Sequence, residues 1–440
     1  MTNFQGEFKF FQGPKLTYDF EGGNMSSDGG VLLVKELDTK LKFTAGIANA
    51  IVDRRDPAQI SHTIKDLVCE RIYMLIQGYE DTNDANRLRS DLAFKSVLNR
   101  GKNDLDLGSQ STLCRLENAV DRRDIKRLMD YSIEHWLNSF EQPPLEITLD
   151  VDPTDDPAHG HQQMALFHGY YGQVMFCPLI ISANGVNIMA VLRPGSRHGA
   201  AKIISILKYL IKRIRARFPG VTLRFRADAA FGSGKVLDYL ESVPNLVYAV
   251  GLIANSRLKK ANESLLEKAV DDHAKTGQKQ RLFQLIEYQA KPWSKPRHLI
   301  AKAEALLGAT NQRFIVTNSK NPTLDIYDDF YVYRAQDSEN QIKELKLGFY
   351  ADRLSCHRFV ANQFRLLLSL FAYQLVRYFK QLLHGTCLEN TSIETIRCRL
   401  FKIAVRIKQS VRRLWFNFCS TFPLQELFAS IHQKILRLSP

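Results

Sequence analysis

The chain has 440 residues, a length that suits two or three domains rather than one. Hydrophobic residues make up 45% of it and charged residues 24%, which is typical of a folded protein and excludes disordered and collagen-like chains. The 60 Lys and Arg residues outnumber the 46 Asp and Glu residues, and the resulting formal charge of +14 favours a polyanionic partner such as nucleic acid.

The N-terminal third has the pattern of a helical region. From residue 26 to about 140 the apolar residues keep helical spacing, and Asp-rich or Gly-containing breaks separate the helices. No strand pattern occurs before residue 145. Within this region, SQSTLCRLEN (109–118) predicts a helix that Ser109 can cap and on which Arg115 is exposed. This helix is either a DNA-recognition helix or a plain packing helix.

A Pro-Pro pair at 143–144 marks a boundary, after which the pattern changes. Residues 145–152 (LEITLDVD) alternate strictly, with apolar side chains on one face and Asp150 and Asp152 on the other. Later strands are predicted at 172–181, 188–192, 222–227 and 246–251, with one helix at 199–218 and another between the last two strands. This order predicts an α/β fold with a mixed central sheet.

The following segment, 253–330, is polar, Lys-rich and strand-prone, and is interpreted as an insertion. Strands are predicted within it at 314–318 and 326–332. A long helical region is expected from about residue 335 to beyond residue 378.

The tail from 396 to 416 carries basic residues between apolar ones. The alternation of Ile403, Val405 and Ile407 predicts an edge hairpin there. The basic run is either a solvated face or a DNA contact.

Two strands end in acidic residues, Asp152 before Pro153 and Asp228 before a helix near residue 231. Sites in α/β sheets form beyond the carboxyl ends of strands, so the two carboxylates converge if these strands are neighbours. Converging carboxylates repel unless a cation lies between them, and Mg²⁺ prefers oxygen ligands. The alternative is that both are turn or cap residues. Asp150, on the same face as Asp152, is a second choice as ligand.

A third carboxylate is expected from YVYRAQDSENQIKELK (331–346). On a helix, one apolar stripe is formed by Ile342, Leu345 and Phe349. Glu339 flanks this stripe and Lys346 shares the face of Glu339, whereas Glu344 points roughly 200° away from the start of the stripe. We therefore prefer Glu339 to Glu344 as the third ligand, the alternative being an ordinary amphipathic helix.

Two further residues are candidates for phosphate contacts. Arg193 and His198 precede the predicted helix over 199–218, and the backbone N–H groups at a helix N-terminus favour phosphate. The histidines at 159, 161 and 168 share no metal-ligand motif, so structural or substrate contacts are expected of them. The seven scattered cysteines form no CxxC pair, which argues against a disulfide framework and a zinc site.

The chain resembles DDE transposases of bacterial insertion sequences, of the IS4-like and, more closely, the IS1380-like families. The resemblance lies in SSDGGVLLVKELD (26–38), LGSQSTLCRLEN (107–118), LDVDPTDDPAHGHQ (149–162) with FHGYYG (167–172) and RADAAF (226–231), and SENQIKELK (338–346) with ADRLSCHRFVANQFRLLLSLFAY (351–373). These stretches follow the expected order over nearly the whole chain.

The resemblance implies a ribonuclease-H-like catalytic domain, that is, a mixed sheet flanked by helices with a strand-rich insertion before the glutamate. Asp152, followed closely by Thr154, and Asp228 match the family's two aspartates. A Tyr-Arg-Glu-Lys signature is matched by Tyr331, Arg334, Glu339 and Lys346, with one more residue between the arginine and the glutamate than the family has. The resemblance implies that Arg334 and Lys346 hold phosphates.

The expected organisation has five parts. They are a mainly helical DNA-binding region (1–142), the first part of the catalytic domain (143–252), a strand-rich insertion (253–330), the glutamate helix with the following core helix (331–385), and a basic C-terminal region (386–440).

The function implied is that of an insertion-sequence transposase, which binds terminal inverted repeats and catalyses strand cleavage and strand transfer with Mg²⁺, for which Mn²⁺ can substitute. Two DNA ends must meet, so we expect a homodimer on double-stranded DNA. The alternatives are a metal-dependent nuclease of the same fold and a DNA-binding regulator without catalysis. The N-terminus lacks a signal-peptide pattern, and the most apolar stretch (366–376) is far shorter than the ~20 residues that span a bilayer, so a cytoplasmic protein without a membrane partner is expected.

Overall fold

The computed structural model describes residues 5–10, 12–197, 199–319, 326–334 and 338–438. The chain forms two compact units. The first comprises Met1–Leu128, Gly348–Tyr350 and Phe371–Pro440, and the second comprises Met129–Leu347 and Ala351–Leu370. The chain thus leaves the first unit, builds the second and returns to the first.

The prediction that no strand precedes residue 145 is wrong. Three short strands occur there: β1 (Gly6–Phe8), β2 (Leu16–Tyr18) and β3 (Met25–Ser26). β1 and β2 pair antiparallel as a separate two-stranded ribbon. Strands of two or three residues are too short to show the alternation by which a strand is recognised.

The rest of this region is helical, as the spacing of its apolar residues predicts. Its helices are α1 (Val31–Leu41), α2 (Phe43–Asn49), α3 (Ile64–Gln77), α4 (Ala85–Leu88), α5 (Leu92–Val97), α6 (Gln110–Ala119) and α7 (Arg122–Asn138). Helix α3 has a clear start and end. Thr63 and Asp66 form a reciprocal capping box at its N-terminus, and Gly78 ends it at a φ of 92°.

The second unit is built on a large mixed sheet flanked by helices, which confirms the α/β prediction. Its strands are β4 (Glu146–Pro153), β5 (Asp156–Pro157), β6 (Leu166–His168), β7 (Gln173–Phe176), β8 (Leu179–Ala183), β9 (Val186–Val191), β10 (Thr222–Ala227), β11 (Leu246–Leu252), β12 (Gln280–Tyr288), β13 (Arg297–Leu306) and β14 (Ala309–Thr317). Eight of them form one sheet in the order β12-β13-β14-β11-β10-β4-β8-β9. The central β4, β10 and β11 are parallel, and the outer pairs are antiparallel. β5, β7 and β6 form a small separate sheet.

The helices associated with the second unit are α8 (Ile203–Arg217), α9 (Gly234–Ser242), α10 (Ser256–Ala261), α11 (Glu263–Thr276) and α12 (Asn340–Phe349). The predicted strand at 326–332 is wrong, because Ile326–Val332 forms a π-helical turn. Tyr327 and Phe330 of this turn are buried against Ala249, Ile300 and Ile315 of the sheet. The turn thereby covers one face of the sheet beside β11 and β14.

Strand β4 shows how the alternating pattern becomes a core. Ile147, Leu149 and Val151 are fully buried in the largest apolar cluster of the second unit. The opposite face is covered as well at its C-terminal end, since Asp150 and Asp152 are also buried. Burial of two carboxylates requires compensating partners, and this directs attention to that end of the strand.

The C-terminal region contains α13 (Phe359–Leu382), α14 (Ile393–Ile396), β15 (Val405–Gln409), β16 (Leu414–Phe418) and α15 (Gln425–Arg437). β15 and β16 pair antiparallel, which confirms the predicted hairpin, and β15 also pairs with β3. Helix α13 is long and apolar enough to span a membrane by length and composition alone, but 89% of its most apolar window is buried within the protein. Such burial is typical of a core helix.

Candidate active site

The two aspartates predicted at strand ends lie side by side. β4 and β10 are parallel neighbours, and Val151 is paired with Ala227. Asp152 and Asp228 each come one residue after this pair. Asp228 begins a 3₁₀ turn, in which its Oδ1 accepts a hydrogen bond of 2.9 Å from the backbone N of Ala230. The carboxylate of Asp228 is therefore both a turn cap and a lining group of the cleft described below.

The carboxylate of Asp152 is buried and held from two sides. Nη1 of Arg334 contacts its Oδ1, and the hydroxyl of Ser338 donates to its Oδ2. Burial lowers the pKa of Arg334, but the negative charges around it, that of Asp152 first, outweigh burial and raise this pKa overall. Arg334 is thus a fixed cation beside the first aspartate.

Glu339 lies immediately before α12 and has an exposed side chain. Its Oε1 is 3.9 Å from Nη2 of Arg334, and 62% of the side chain is accessible to solvent. Arg334 thus carries interactions with both Asp152 and Glu339. Four residues separate Arg334 from Glu339, and three of them, residues 335–337, lie outside the described part of the chain.

Lys346 projects from α12 toward the segment that follows β4. Its Nζ lies 2.9 Å from the carbonyl oxygen of Asp155, 3.1 Å from Oδ1 of the same residue and 3.4 Å from Oγ1 of Thr154. The lysine therefore ties the glutamate-bearing helix to the end of the strand that carries Asp152.

These side chains surround one open cleft of about 480 Å³. It is lined by Asp152, Pro153, Thr154, Asp155, Tyr171, Asp228, Arg334, Glu339, Ile342, Lys343, Lys346 and Leu347. Glu344, the glutamate predicted to face away, is not among the lining residues. The cleft brings together four carboxylates, the three predicted ones and Asp155, and three cationic side chains. Within the described ranges, however, no three His, Cys, Asp or Glu residues lie close enough to hold a metal ion between them.

Asp150, the second choice for the first ligand, is engaged elsewhere. Its two carboxylate oxygens accept hydrogen bonds of 2.6 and 2.7 Å from Nε and Nη2 of Arg226, and both side chains are buried. Nη1 of Arg226 donates to the carbonyl oxygen of Phe330 at 2.8 Å. Burial raises the pKa of Asp150, an effect that Arg226 opposes. The pair joins β4, β10 and the π-helical turn, which is a structural arrangement.

Tyr331 is not among the residues that line the cleft, and it packs next to Arg334. Its ring lies 5.8 Å from the guanidinium of Arg334, and a Cβ on Gly251 would come within 2.6 Å of its hydroxyl oxygen. Burial raises the pKa of Tyr331. The tyrosine is therefore in a position to orient Arg334.

The other predicted DNA contacts have different surroundings. Arg193 is buried, with Nε 2.8 Å from the carbonyl oxygen of Cys177 and Nη1 on the carbonyl oxygen of Gly199. These backbone contacts occupy its guanidinium. His198 lies outside the described residues.

Arg115 is exposed on α6, where Nη2 donates to Oγ1 of Thr112 at 3.0 Å. Ser109 stands at the N-cap of that helix, but its side chain makes no capping hydrogen bond. Its hydroxyl instead lies near those of Ser111 and Thr112.

Two of the three histidines after β4 make structural contacts with the segment that precedes α13. Nε2 of His159 lies 3.1 Å from the carbonyl oxygen of Asp352, and the carbonyl oxygen of His161 lies 2.9 Å from Nδ1 of His357. Gln162 also donates to the carbonyl oxygen of Cys356 at 2.8 Å. These contacts fix the loop that follows β4 to the segment after α12.

The family assignment rests on the whole length of the chain. The sequence model of the family described as transposase DDE domain group 1 matches residues 8–440. The chain belongs to the DDE transposases. No curated protein matches the sequence at a significant level. Membership of this family implies that DNA is the partner of the transposase. The acidic residues of the site meet in the cleft formed by β4, β10 and α12.

Sequence reasoning missed one residue that contacts the site, Ser338, and one buried carboxyl next to it, Asp156. Ser338 precedes Glu339 and donates to Asp152, and an isolated serine gives no signal of such a role. Asp156 lies in the polar segment TDDP (154–157), yet it is only 1% exposed. Its position in β5, paired with Phe176, explains the burial. A two-residue strand cannot be recognised from its sequence.

Proposed function

We propose that this transposase is the enzyme of an insertion sequence. It binds the terminal inverted repeats of its element, cleaves a strand at each end and joins the freed ends to target DNA. The observation that carries the proposal is the cleft in which Asp152, Asp228 and Glu339 face Arg334 and Lys346, in a chain that matches the DDE transposase family from residue 8 to its end. We further infer a ribonuclease-H-like catalytic domain and membership of the IS1380-like group, from the order of the four matching stretches.

The donor set suits a hard divalent cation. Asp152, Asp228 and Glu339 offer only carboxylate oxygens, which Mg²⁺ prefers and Mn²⁺ accepts. The buried carboxylate of Asp152 needs a positive neighbour, and Arg334 is one such neighbour. Glu339 is exposed and therefore free of packing constraints that would stop its carboxylate from turning toward the aspartates. When bound, the metal would lower the pKa of a coordinated water and neutralise charge on the phosphate.

The protein's own groups account for the positioning of DNA. Arg334 presents a planar fork and Lys346 a point charge, and both suit phosphate oxygens on either side of the scissile bond. In cleavage, a water oxygen bonds to phosphorus and the bond to the 3′ oxygen breaks, which leaves a 3′-hydroxyl and a 5′-phosphate. In joining, that 3′ oxygen bonds to a target phosphorus and displaces the target's own 3′ oxygen. The number of phosphodiester bonds is thus conserved in the second step.

Two DNA ends must be held together for joining, so we propose a homodimer on double-stranded DNA, acting in the cytoplasm. In this proposal residues 1–142 and 386–440 contribute DNA binding and residues 143–385 contain the catalytic core with its insertion. The basic surplus of the chain supports contacts with the DNA backbone.

The choice of glutamate is tested by a matched pair of substitutions. Glu339→Gln removes a proposed metal ligand, so we expect Mg²⁺-dependent cleavage of DNA flanking the gene to fall by about a hundredfold or more. Glu344→Gln changes the same chemical group five residues away, off the cleft, and should cleave like the parent enzyme. Equal loss in both variants, or loss only in Glu344→Gln, would refute the assignment. Transfer of pre-cleaved ends to target DNA distinguishes the transposase from a nuclease.

A further inference from the structure

An exposed aromatic hairpin stands beside the catalytic cleft. It consists of β6, the turn at residues 169–172 and β7, and is called the aromatic hairpin below. Phe167 and Val174 are cross-strand partners, and both are exposed. Tyr170 at the tip is 87% exposed. Large apolar side chains grouped on one hairpin are uncommon on a protein surface unless something binds there.

The tip of the hairpin is well defined. The backbone N of Gly172 donates to the carbonyl oxygen of His168 at 2.9 Å, and Gly172 has a φ of 65°, which favours glycine. The ring of Tyr171 makes edge contacts with those of His168 and Tyr170, each with centroids 5.0 Å apart. A Cβ at Gly169 would meet no atom within 4 Å, so the space around the turn is open. The rings of Tyr170 and Tyr171, which pack against each other, therefore border open space at the hairpin turn.

The hairpin is continuous with the cleft. Tyr171 lines the cleft together with Asp152 and Asp228. Burial raises the pKa of Tyr171, and the negative charges of Asp155 and Asp228 contribute to the same shift. A ligand that reaches the carboxylates from this side therefore passes the tyrosine rings.

The chemistry of the surroundings favours a nucleic acid strand over a protein as the occupant. The lining of the cleft also carries Arg334, Lys343 and Lys346, which suit phosphates. Exposed aromatic rings suit the faces of bases, since every base can stack on them. A protein seated on the rings would also cover Tyr171, which lines the cleft that the substrate must enter. One DNA strand satisfies both surfaces at once.

We propose that the aromatic hairpin binds the DNA end next to the scissile phosphate, with Tyr170 and Tyr171 stacking on unpaired bases. The phosphate then lies at the carboxylates, and the neighbouring bases lie on the rings. This inference rests on the proposed function, because it uses the same DNA substrate. It assigns a positioning role to residues that carry no catalytic chemistry.

The test measures DNA binding without catalysis. The probe is a duplex of the DNA flanking the gene, with its terminal bases unpaired and one of them replaced by fluorescent 2-aminopurine, in buffer without divalent metal. Stacking quenches this fluorophore. The double variant Tyr170→Ala/Tyr171→Ala should lose the quenching and bind roughly five- to a hundredfold more weakly, as expected for the loss of base stacking. Tyr170→Phe/Tyr171→Phe restores the rings and should recover both signals.

Leu307→Ala is the matched control, because Leu307 is a 92% exposed apolar residue in another hairpin turn of the same unit. Leu307→Ala should bind the DNA probe and quench its 2-aminopurine fluorescence as strongly as the parent protein does. Tyr170→Ala alone guards against misfolding of the double variant, since an 87% exposed side chain contributes little to folding. If the alanine variants quench and bind like Leu307→Ala, the inference is wrong. If the parent protein fails to cleave DNA in Mg²⁺ while the quenching still depends on the rings, the proposed function falls and the hairpin assignment stands.

Discussion

Two aspartates on one face of β4 occupy different chemical environments. Asp152 faces the cleft, whereas Asp150 is bound bidentately by Arg226. The sequence placed both on the same strand face and favoured Asp152 by its position at the strand end and by the neighbouring Thr154. The partner of Asp150 lies 76 residues away on β10, at the position directly paired with it. A contact at that distance along the chain has no local signal.

Removal of one partner of this buried ion pair should be strongly destabilising. Arg226→Met leaves the Asp150 carboxylate buried without its partner, and we expect the free energy of unfolding to fall by about 3–5 kcal/mol. Arg224→Met is the control on the same strand, because Arg224 forms an exposed ion pair with Glu146 at 3.2 Å and should cost about 1 kcal/mol or less. Urea unfolding of both variants measures these two losses in the free energy of unfolding. Similar losses would show that the buried pair has no special structural role.

Asp156 predicts a dependence of stability on pH. Its two carboxylate oxygens have no hydrogen-bond partner among the described residues, and burial, followed by the charge of Asp352, raises its pKa to about 8. Lys346 opposes this shift and Asp155 adds to it. In the unfolded chain the carboxyl ionises near 3.8. Between these values the folded protein retains a proton that the unfolded chain releases, so this residue's contribution to stability declines as pH rises from about 4 to 8.

Asp156→Asn removes this effect. The variant should match the parent protein near pH 4 and become progressively more stable toward pH 8, by at most about 1.4 kcal/mol per pH unit. Asp271→Asn, on an exposed position of α11, serves as the control. Denaturant unfolding across this pH range provides the measurement. A stability difference that does not change with pH would contradict the buried, protonated state of Asp156.

At the scale of elements, the C-terminal end of β11 supports the site through a glycine. A Cβ on Gly251 would lie 2.6 Å from the hydroxyl oxygen of Tyr331 and 3.0 Å from the backbone N of Ala229. Tyr331 in turn packs on Arg334, and Ala229 follows Asp228. The strand, the 3₁₀ turn and the π-helical turn therefore meet at this glycine.

Gly251→Ala should displace Tyr331 and the turn that bears Asp228. Because small displacements of positioning groups can reduce rates by up to about a hundredfold, we expect a loss of cleavage of roughly tenfold or more with DNA binding largely retained. Gly220→Ala is the matched control, as a Cβ there meets no atom within 4 Å. The single-turnover rates of DNA cleavage by Gly251→Ala and Gly220→Ala provide the comparison. Full activity of Gly251→Ala would show that Tyr331 does not position the site.

The elements differ in how well their sequences predicted them. β4 and the β15–β16 hairpin alternate over several residues, so period-two patterning identified them. Ile326–Val332 is rich in aromatic and β-branched residues and was predicted as a strand, yet it is helical. Its burial on Ala249, Ile300 and Ile315 overrides the local preference. Composition could not reveal that contact, because its partners lie on β11, β13 and β14.

At the scale of the whole molecule, the order of strands and helices was enough to predict an α/β unit with a mixed sheet, but not the sheet order. β4 and β10 are neighbours, and the convergence of the aspartates depends on this, although five strands, β5 to β9, lie between them in the chain. The sequence pattern also did not indicate that the chain returns to the first unit after residue 370. The close packing at Gly30 is an example of this return. A Cβ at Gly30 would lie 1.9 Å from the carbonyl oxygen of Leu400, so the SSDGG motif packs directly against the C-terminal region.

The central claim is that Asp152, Asp228 and Glu339 form a metal-dependent DNA-cleaving site. The most direct test compares the parent transposase with Asp228→Asn on duplexes of the DNA flanking its gene, with Mg²⁺ and with a chelator. The parent should cleave a strand at each element end only with Mg²⁺. Asp228→Asn should bind the same DNA within about twofold and give no cleavage, since a carboxylate ligand has been replaced by a neutral amide. Cleavage by Asp228→Asn at the parent rate, or cleavage by the parent in chelator, would contradict the account.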